Sequence, residues 1–102
     1  MTLREKRVAF TWAVAKVILW AAENGLEVAL GPDGLKHMKN SLHYSGLAVD
    51  LNAYRGGVYL TATEDYRGIG EYFKTLHPLA RWGGDFTNKD GNHISFEHEG
   101  RR

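Results

Sequence analysis

The sequence predicts a small α+β domain in which a long N-terminal helix and a second helix accompany a small antiparallel sheet. Two segments carry apolar residues at helical spacing, and short segments of alternating polarity lie between and after them. The chain has 102 residues, of which 43% are hydrophobic and 25% charged. This length and composition suit one folded domain over residues 1–102.

The first helix is predicted from an apolar stripe and from the residues at its ends. Thr2 and Glu5 fit a capping box, and Gly25 is placed to end the helix. The apolar run 8–22 follows a basic start and therefore imitates a signal peptide, but Lys16 interrupts it. It is also shorter than the ~20 residues needed to span a bilayer. We therefore expect a core helix, with neither an export signal nor a membrane span. The stripe consists of Phe10, Val14, Val17, Ile18 and Ala21.

Short strands are predicted after this helix. Residues 26–30 alternate in polarity and are followed by the turn-forming residues 31–34. In residues 47–52, Leu47, Val49 and Leu51 share one face, and Ala48, Asp50 and Asn52 share the other. Residues 55–57 predict a hairpin turn into the strand 58–60.

The second helix and the last strand complete the predicted order. Thr61 and Glu64 suggest a second capping box, and an apolar stripe from Tyr66 to Leu76 predicts a helix that ends near Pro78. Gly68 and Gly70 lie inside this helix, where each costs about 1 kcal/mol relative to alanine. Residues 81–91 read as a loop, and residues 93–98 alternate as a strand.

Charge and cysteine content exclude several classes of function. The 13 basic and 12 acidic residues give a formal charge of +1, which argues against a nucleic-acid-binding surface. The chain has no cysteine, so it has neither disulfides nor a thiolate zinc site. A metal ion would need His, Asp or Glu as ligands.

Three residues on predicted strands suit a metal ion. His43 lies in a turn before one strand, Asp50 lies on that strand beside small or polar residues, and His93 opens another strand. Pairing of the two strands would bring the three side chains together. Two imidazoles and one carboxylate suit Zn²⁺, and three protein ligands leave a fourth position open, as in catalytic zinc sites. Asp90 precedes His93 by three residues and is a candidate general base.

Each of these residues also has an ordinary structural interpretation. A single histidine beside a sheet is more often a hydrogen-bonded structural residue than a metal ligand. Asp50 alone suits a turn or a cap, and Asp90 with Gly91 is a favourable turn. Spacing alone therefore leaves the metal site open.

Two motifs resemble those of a known family. Residues 41–50 follow the pattern S-x-H-x-x-G-x-A-x-D at every fixed position. Residues 82–86 read Trp-Gly-Gly-Asp-Phe, and Asp90 is followed after two residues by His93. Together the segments resemble the zinc motifs of the family of D-alanyl-D-alanine carboxypeptidases and phage L-alanyl-D-glutamate endopeptidases. The resemblance implies that His43, Asp50 and His93 bind one Zn²⁺ and that Asp90 is the catalytic acid and base.

The sequence departs from the family pattern in two places. Many relatives have glutamate at the position of Asp90, so the shorter aspartate requires a turn that brings it closer to the reacting water. Relatives usually have an arginine before the first motif that contacts the substrate or its oxyanion, whereas no arginine lies between Arg7 and Arg55. His37 is our candidate for that role, ahead of Lys36 and Lys39, and an ordinary solvated loop is the alternative.

The resemblance implies a peptidase that hydrolyses stem peptides of bacterial peptidoglycan, of the L-alanyl-D-glutamate endopeptidase or D,D-carboxypeptidase type. We expect a monomeric phage lytic enzyme with a peptide substrate and no nucleic-acid partner. It would be made in the cytoplasm and would reach the cell wall after holin-type release or as part of a phage particle. The alternative is a non-catalytic zinc module that binds peptidoglycan or a protein partner.

Overall fold

The computed structural model describes residues 1–31, 42–43 and 45–102. Within these residues the chain forms two α-helices, five strands and two short 3₁₀-helices. The α-helices are α1 (Leu3–Glu23) and α2 (Arg67–Lys74), and the 3₁₀-helices are Thr63–Tyr66 and Gly83–Asp85. The strands are β1 (Glu27–Leu30), β2 (Ala48–Arg55), β3 (Val58–Tyr59), β4 (Ala80–Trp82) and β5 (His93–Phe96). The predicted α+β class is confirmed.

Strand β2 organises the sheet. The order is β1-β2-β5-β4, with β3 also paired to β2, and each of these pairs is antiparallel. The hairpin predicted at residues 55–57 joins β2 to β3, and Gly56 and Gly57 both have positive φ. Since β2 contacts β1, β3 and β5, residues on β2 have neighbours on both sides.

Helix α1 follows its prediction closely. The Thr2 hydroxyl accepts the N–H of Glu5 at 3.1 Å, and the Glu5 carboxylate accepts the N–H of Thr2 at 2.8 Å. The helix ends at Asn24, and Gly25 leaves it with φ of +79°. Phe10, Ala13, Val17 and Ala21 are buried, so this segment packs against the domain. In the part of the chain that the structure describes, no helix combines the length and apolar character needed to cross a bilayer.

The prediction of a second capping box formed by Thr61 and Glu64 is wrong by one residue. The chain enters a 3₁₀-helix at Thr63, and the Asp65 carboxylate accepts the N–H of Ala62 at 3.1 Å. Glu64 instead pairs with Arg67. Aspartate can accept this bond because its short side chain reaches the backbone N–H three residues earlier. Helix α2 then begins at Arg67 and buries Ile69, Gly70 and Phe73.

The segment 81–91 is not the continuous loop that its glycine and aspartate content predicts. Residues 80–82 form β4, which pairs with β5 through Ala80 with Phe96 and Trp82 with Ile94. The strand is only three residues long and is followed at once by glycines, so its sequence lacks an alternating pattern long enough to recognise. Tertiary pairing with β5 supplies its hydrogen bonds.

The core lies between the two helices and one face of the sheet. The ring centroids of Phe10 and Phe96 are 5.3 Å apart, and those of Phe73 and Phe96 are 6.1 Å apart. These contacts join α1 and α2 to β5. Leu51, Ala53, Ile94 and Phe96 are all buried. The intervening positions on β2 and β5, which include Asp50 and His93, therefore belong to the opposite face of the sheet.

Candidate metal centre

His43 lies in a tight turn that precedes β2. The carbonyl of Leu42 accepts the N–H groups of Ser45 at 3.1 Å and of Leu47 at 3.0 Å. Leu42 and Leu47 are buried, with 2% and 0% exposure. The turn is thus anchored by an apolar residue at each end, which fixes the backbone at His43.

Gly46 and Arg7 close this turn from the side of α1. Gly46 has φ of +71°, a conformation that favours glycine, and a β-carbon there would lie 3.1 Å from Nε of Arg7. Nε of Arg7 donates to the carbonyl of Ser45 at 2.7 Å. The contribution of Arg7 was not predicted from the sequence, because the contact joins residues that are far apart in the chain.

Asp50 and His93 are direct neighbours in the sheet. The register of β2 and β5 places Asp50 opposite His93. Side chains of opposite residues in an antiparallel pair share a face and have β-carbons about 4.5–5.5 Å apart. The predicted strand pairing therefore brings these two candidate ligands together, as expected.

The three donor atoms have the spacing of a shared metal ion. Oδ1 of Asp50 lies 3.6 Å from Nε2 of His43 and 3.6 Å from Nδ1 of His93. One ligand atom from each residue lies within 4.8 Å of the others. Hydrogen-bonded N and O atoms are closer, at about 2.7–3.2 Å. Two ligands of a tetrahedral zinc ion with bonds of 2.0–2.1 Å are about 3.4 Å apart. The two 3.6 Å distances from Oδ1 of Asp50 are close to this value.

The centre is largely shielded from solvent but not closed. The side chains of His43, Asp50 and His93 are 11%, 28% and 8% exposed. The ring of Phe86 lies 5.3 Å from that of His93, and the two imidazoles are also 5.3 Å apart. Low exposure strengthens the attraction between a carboxylate and a cation. The residues present therefore fit a divalent ion.

A histidine that binds a metal usually donates its other ring N–H to a carboxylate or a backbone carbonyl, and Asp85 is a candidate for this role at His93 from its place in the sequence. Among the described residues, the buried Nε2 of His93 has no hydrogen-bond partner. The Asp85 carboxylate instead binds Nζ of Lys74 at 2.7 Å, and this bond raises the pKa of Lys74. Asp85 thus joins the end of the 3₁₀-helix Gly83–Asp85 to α2.

Asp90 lies in the turn that leads into β5. Its carbonyl accepts the N–H of His93 at 3.1 Å, and its own N–H donates to the carbonyl of Gly83 at 2.9 Å. A β-carbon at Gly83 would lie 2.0 Å from the Asp90 carbonyl oxygen, so only glycine permits this approach. The Asp90 side chain is exposed and lines a cleft of about 220 Å³. The turn therefore ties Asp90 to a candidate ligand through the backbone.

Trp82 begins the Trp-Gly-Gly-Asp-Phe stretch, where its place in the sequence is compatible with either core packing or a substrate cleft, and the structure places it in the core. It is 0% exposed, and its Nε1–H donates to the carbonyl of Gly91 at 2.7 Å. This bond connects the core to the turn between Asp90 and His93. The sequence is compatible with the same two roles, core packing or a substrate cleft, for Tyr44, but this residue lies outside the described residues.

Other histidines are placed away from the cluster. His98 contacts Nζ of Lys6 at 2.9 Å, and His77 stacks on Phe96 with ring centroids 4.6 Å apart. Both therefore have structural contacts. His37, the candidate for oxyanion or substrate contact, lies outside the described residues, as do Lys36 and Lys39.

One pair of residues beside the candidate ligands was not singled out from the sequence. Nδ2 of Asn92 donates to Oδ1 of Asn52 at 3.0 Å, and the N–H of Leu51 donates to the carbonyl of Asn92 at 2.8 Å. Asn92 directly precedes His93, and Asn52 lies two residues after Asp50. These bonds hold the ligand-bearing ends of β2 and β5 together. Finding them requires the register of the pair, which the sequence alone does not give.

Comparison with known proteins gives a family and a fold. The profile of the family described as D-alanyl-D-alanine carboxypeptidase matches residues 36–96. Among solved structures, the chain resembles the L-Ala D-Glu endopeptidase ChiX of Serratia marcescens, with a TM-score of 0.63 and 23% sequence identity. That match covers 92% of this chain and 85% of the other and shows a shared fold. Comparison with curated proteins gave no significant match. Since the family profile covers well over half of the sequence, this chain belongs to the D-alanyl-D-alanine carboxypeptidase family of peptidases.

Proposed function

We propose that this protein is a zinc-dependent peptidase that hydrolyses peptide bonds in the stem peptides of bacterial peptidoglycan. The observation that carries the proposal is the cluster of His43, Asp50 and His93, whose donor atoms lie within 4.8 Å of one another. Membership of a peptidase family and the fold shared with an L-Ala D-Glu endopeptidase support the same activity. The bond cleaved is either the L-alanyl-D-glutamate or the D-alanyl-D-alanine bond.

One zinc ion would be held by Nε2 of His43, Oδ1 of Asp50 and Nδ1 of His93. Two imidazole nitrogens and one carboxylate oxygen form a donor set that zinc accepts readily. When bound, the ion would supply Lewis acidity, which polarises a carbonyl oxygen and makes water more acidic. A ligand set of three protein groups leaves one position for water or substrate, which is the arrangement of catalytic zinc sites.

Asp90 is the residue proposed to move the proton. It is exposed in a cleft beside the ligand strand, and its backbone is fixed by bonds to Gly83 and His93. An ionised carboxylate there accepts a proton from the attacking water and then passes it to the departing amine. The close approach of the Asp90 backbone to Gly83 supports the idea that the turn compensates for the shorter side chain of aspartate.

We further propose that residues 1–102 act as one catalytic domain and that the protein is a monomeric phage lytic enzyme. These proposals depend on the resemblance of both motifs to short phage enzymes. His37 remains our candidate for contact with the oxyanion.

Digestion of purified peptidoglycan tests the proposal. We expect the wild-type protein to release new amino and carboxyl termini that mass spectrometry assigns to one bond in the stem peptide. Removal of zinc by a chelator is expected to abolish release, and added zinc is expected to restore it. The variant Asp90→Ala is expected to keep bound zinc but to lose at least about 100-fold in rate, the lower end of a typical general acid–base contribution.

The same experiment separates catalysis from binding alone. A non-catalytic zinc module would bind peptidoglycan in a pull-down assay with zinc present, yet would release no new termini. Release that persists unchanged in the chelator-treated protein would contradict metal dependence. Unchanged turnover by Asp90→Ala would assign the proton transfer to another group.

A further inference from the structure

A cleft separates the segment that follows β3 from the turn that precedes β5. It is formed by residues 59–63 on one side and 89–92 on the other, with Tyr66 at its base, and has a volume of about 220 Å³. Sites for whole drug-sized ligands usually measure about 300–1,000 Å³, so this cleft has the size of a subsite for one residue. The polar side chains that line it belong to Tyr59, Thr61, Thr63, Lys89, Asp90 and Asn92.

The cleft lies next to the candidate metal centre. Asn92 lines the cleft and directly precedes His93, and its side chain bonds to Asn52, which shares a strand face with Asp50. Tyr59, on the opposite wall, has its hydroxyl 3.5 Å from the same Oδ1 of Asn52. Hydrogen bonds to Asn52 therefore connect two lining residues of the cleft to β2, the strand that carries Asp50.

Asp90 determines which part of a substrate enters this cleft. The group that protonates the departing amine must come within about 2.6–3.2 Å of its nitrogen. Because Asp90 is a wall of the cleft, the residue that carries this nitrogen lies in or at the cleft. In both candidate bonds that residue has a D configuration and a free α-carboxylate, since D-glutamate is linked onward through its γ-carboxyl and the last D-alanine is terminal.

Lys89 is the candidate partner of that carboxylate, because it lines the same cleft. It is adjacent to Asp90, and the α-carboxylate is attached to the same carbon as the departing nitrogen. Nζ of Lys89 donates to the carbonyl of Gly84 at 3.1 Å, which leaves further N–H groups of the ammonium available. Among residues 1–31, 42–43 and 45–102, no carboxylate lies within 4.0 Å of this ammonium.

The acidic residue that follows Thr63 on the other side of the cleft is already paired. Glu64 follows Thr63, and its carboxylate accepts two bonds from Arg67 at 2.7 and 2.8 Å. The guanidinium of Arg67 therefore competes with Lys89 for the negative charge of Glu64. Its hydrogen bonds are the main reason that the pKa of Glu64 is lowered. Among the described residues that line the cleft, Lys89 is the basic residue and Asp90 is the acidic one. The other polar side chains there are hydroxyl and amide groups, which are neutral hydrogen-bonding partners.

We propose that Lys89 binds the free α-carboxylate of the D-amino acid on the leaving-group side of the scissile bond, and that the cleft is the subsite for this residue. The proposal rests on the proposed peptidase function. It adds a residue that determines specificity and a reason why both candidate bonds suit one site.

Paired synthetic peptides test this role. For each candidate bond, one peptide carries the free α-carboxylate after the scissile bond and the other carries a carboxamide there. The wild-type protein is expected to prefer the carboxylate. In Lys89→Gln we expect kcat/KM for the carboxylate peptide to fall by about 10- to 100-fold, the range for a hydrogen bond to a charged group, and to change less than about twofold for the carboxamide. Lys89→Arg is expected to retain most of the preference, and Lys16→Gln, on the exposed surface of α1, is the matched control.

The outcomes separate this inference from the proposed function. If Lys89→Gln lowers kcat/KM equally for the carboxylate and carboxamide peptides, Lys89 acts only through its bond to Gly84 and the proposal is overturned. The proposal is also overturned if Lys89→Gln prefers the carboxylate peptide as strongly as the wild type does. If the wild-type protein cleaves neither pair, the peptidase function fails. Titration of the zinc-loaded ¹⁵N-labelled protein with D-alanine and D-glutamate then decides the subsite on its own. Changes in the amide chemical shifts of Thr61, Lys89 and Asn92 that are lost in Lys89→Gln would support the proposed subsite. No chemical-shift change at these residues in the wild-type protein would refute it.

Discussion

The substitution Gly70→Ala tests the packing that supports the turn beside the candidate metal centre. Gly70 is buried in α2 against the indole of Trp82. A β-carbon at residue 70 would lie 2.1, 2.3 and 2.5 Å from three atoms of that ring, whereas carbon atoms in favourable contact are about 3.5–4.0 Å apart. The ring would have to move by more than about 1 Å.

Trp82 has little freedom to make such a movement. It is 0% exposed, and its Nε1–H is bonded to the carbonyl of Gly91. Gly84 contacts the six-membered end of the same ring so closely that a β-carbon there would lie 2.2 Å away. Overpacking in a core costs about 1–3 kcal/mol, and a restrained ring belongs at the upper end of this range. Alanine recovers about 1 kcal/mol of helix propensity, which leaves a net loss of about 2 kcal/mol.

Thermal and urea denaturation followed by circular dichroism measure this loss. For a domain of this size, about 2 kcal/mol lowers Tm by about 8–16 °C. Gly68→Ala in the same helix is the matched control, because its β-carbon would meet the outer edge of the partly exposed Trp20 at 2.9 Å. It is expected to be neutral or up to about 1 kcal/mol more stable. Equal stability of Gly70→Ala and the wild type would refute the argument.

Three further predictions concern the centre and the core. His43→Ala is expected to weaken zinc binding by more than about 100-fold, the upper end of the loss that is typical when a residue hydrogen-bonded to a metal ligand is removed. The control variant His98→Ala is expected to bind zinc as the wild type does. Metal analysis and calorimetry measure the binding, and full zinc occupancy in His43→Ala would exclude His43 as a ligand. Asp90→Ala is expected to unfold at the same temperature as the wild type while losing at least about 100-fold in peptide hydrolysis, and an equal rate would contradict its role. Tyr66→Phe removes a hydroxyl that accepts the N–H of Ala53 at 3.0 Å, so we expect a loss of about 1–3 kcal/mol in urea unfolding near neutral pH. Burial raises the pKa of Tyr66 in the folded protein, so the wild type loses stability as the pH rises above about 10, the pKa of tyrosine in the unfolded chain. The difference in unfolding free energy between the wild type and Tyr66→Phe should therefore narrow above this pH. A constant difference up to about pH 11 would count against this explanation.

Local chemistry explains which parts of the fold could be predicted. The ends of α1 follow from Thr2, Glu5 and Gly25, and the turn into β3 follows from two glycines, because each of these features involves residues within a few positions of one another. The capping prediction at Thr61 was wrong because aspartate and glutamate both occur in that segment, and the backbone geometry selected Asp65.

The candidate centre was predicted from residue types and order, and the structure supplied its geometry. The motifs singled out His43, Asp50 and His93, and the register of β2 with β5 then brought their donor atoms together. Strand β4, the core position of Trp82 and the bond between Asn52 and Asn92 were not predicted. Each depends on a partner that is distant in the chain or on a register that a short segment cannot specify.

The sequence by itself determined the helix ends, the alternation that separates an apolar sheet face from a polar one, and the candidate ligands. Only the tertiary structure decided that Gly70 is required beside Trp82, that Lys89 and Asp90 share a cleft, and that the three candidate ligand atoms lie within 4.8 Å of one another. The physical reason is that capping and alternation are short-range properties of the backbone. Close packing and ligand geometry depend instead on where distant segments meet.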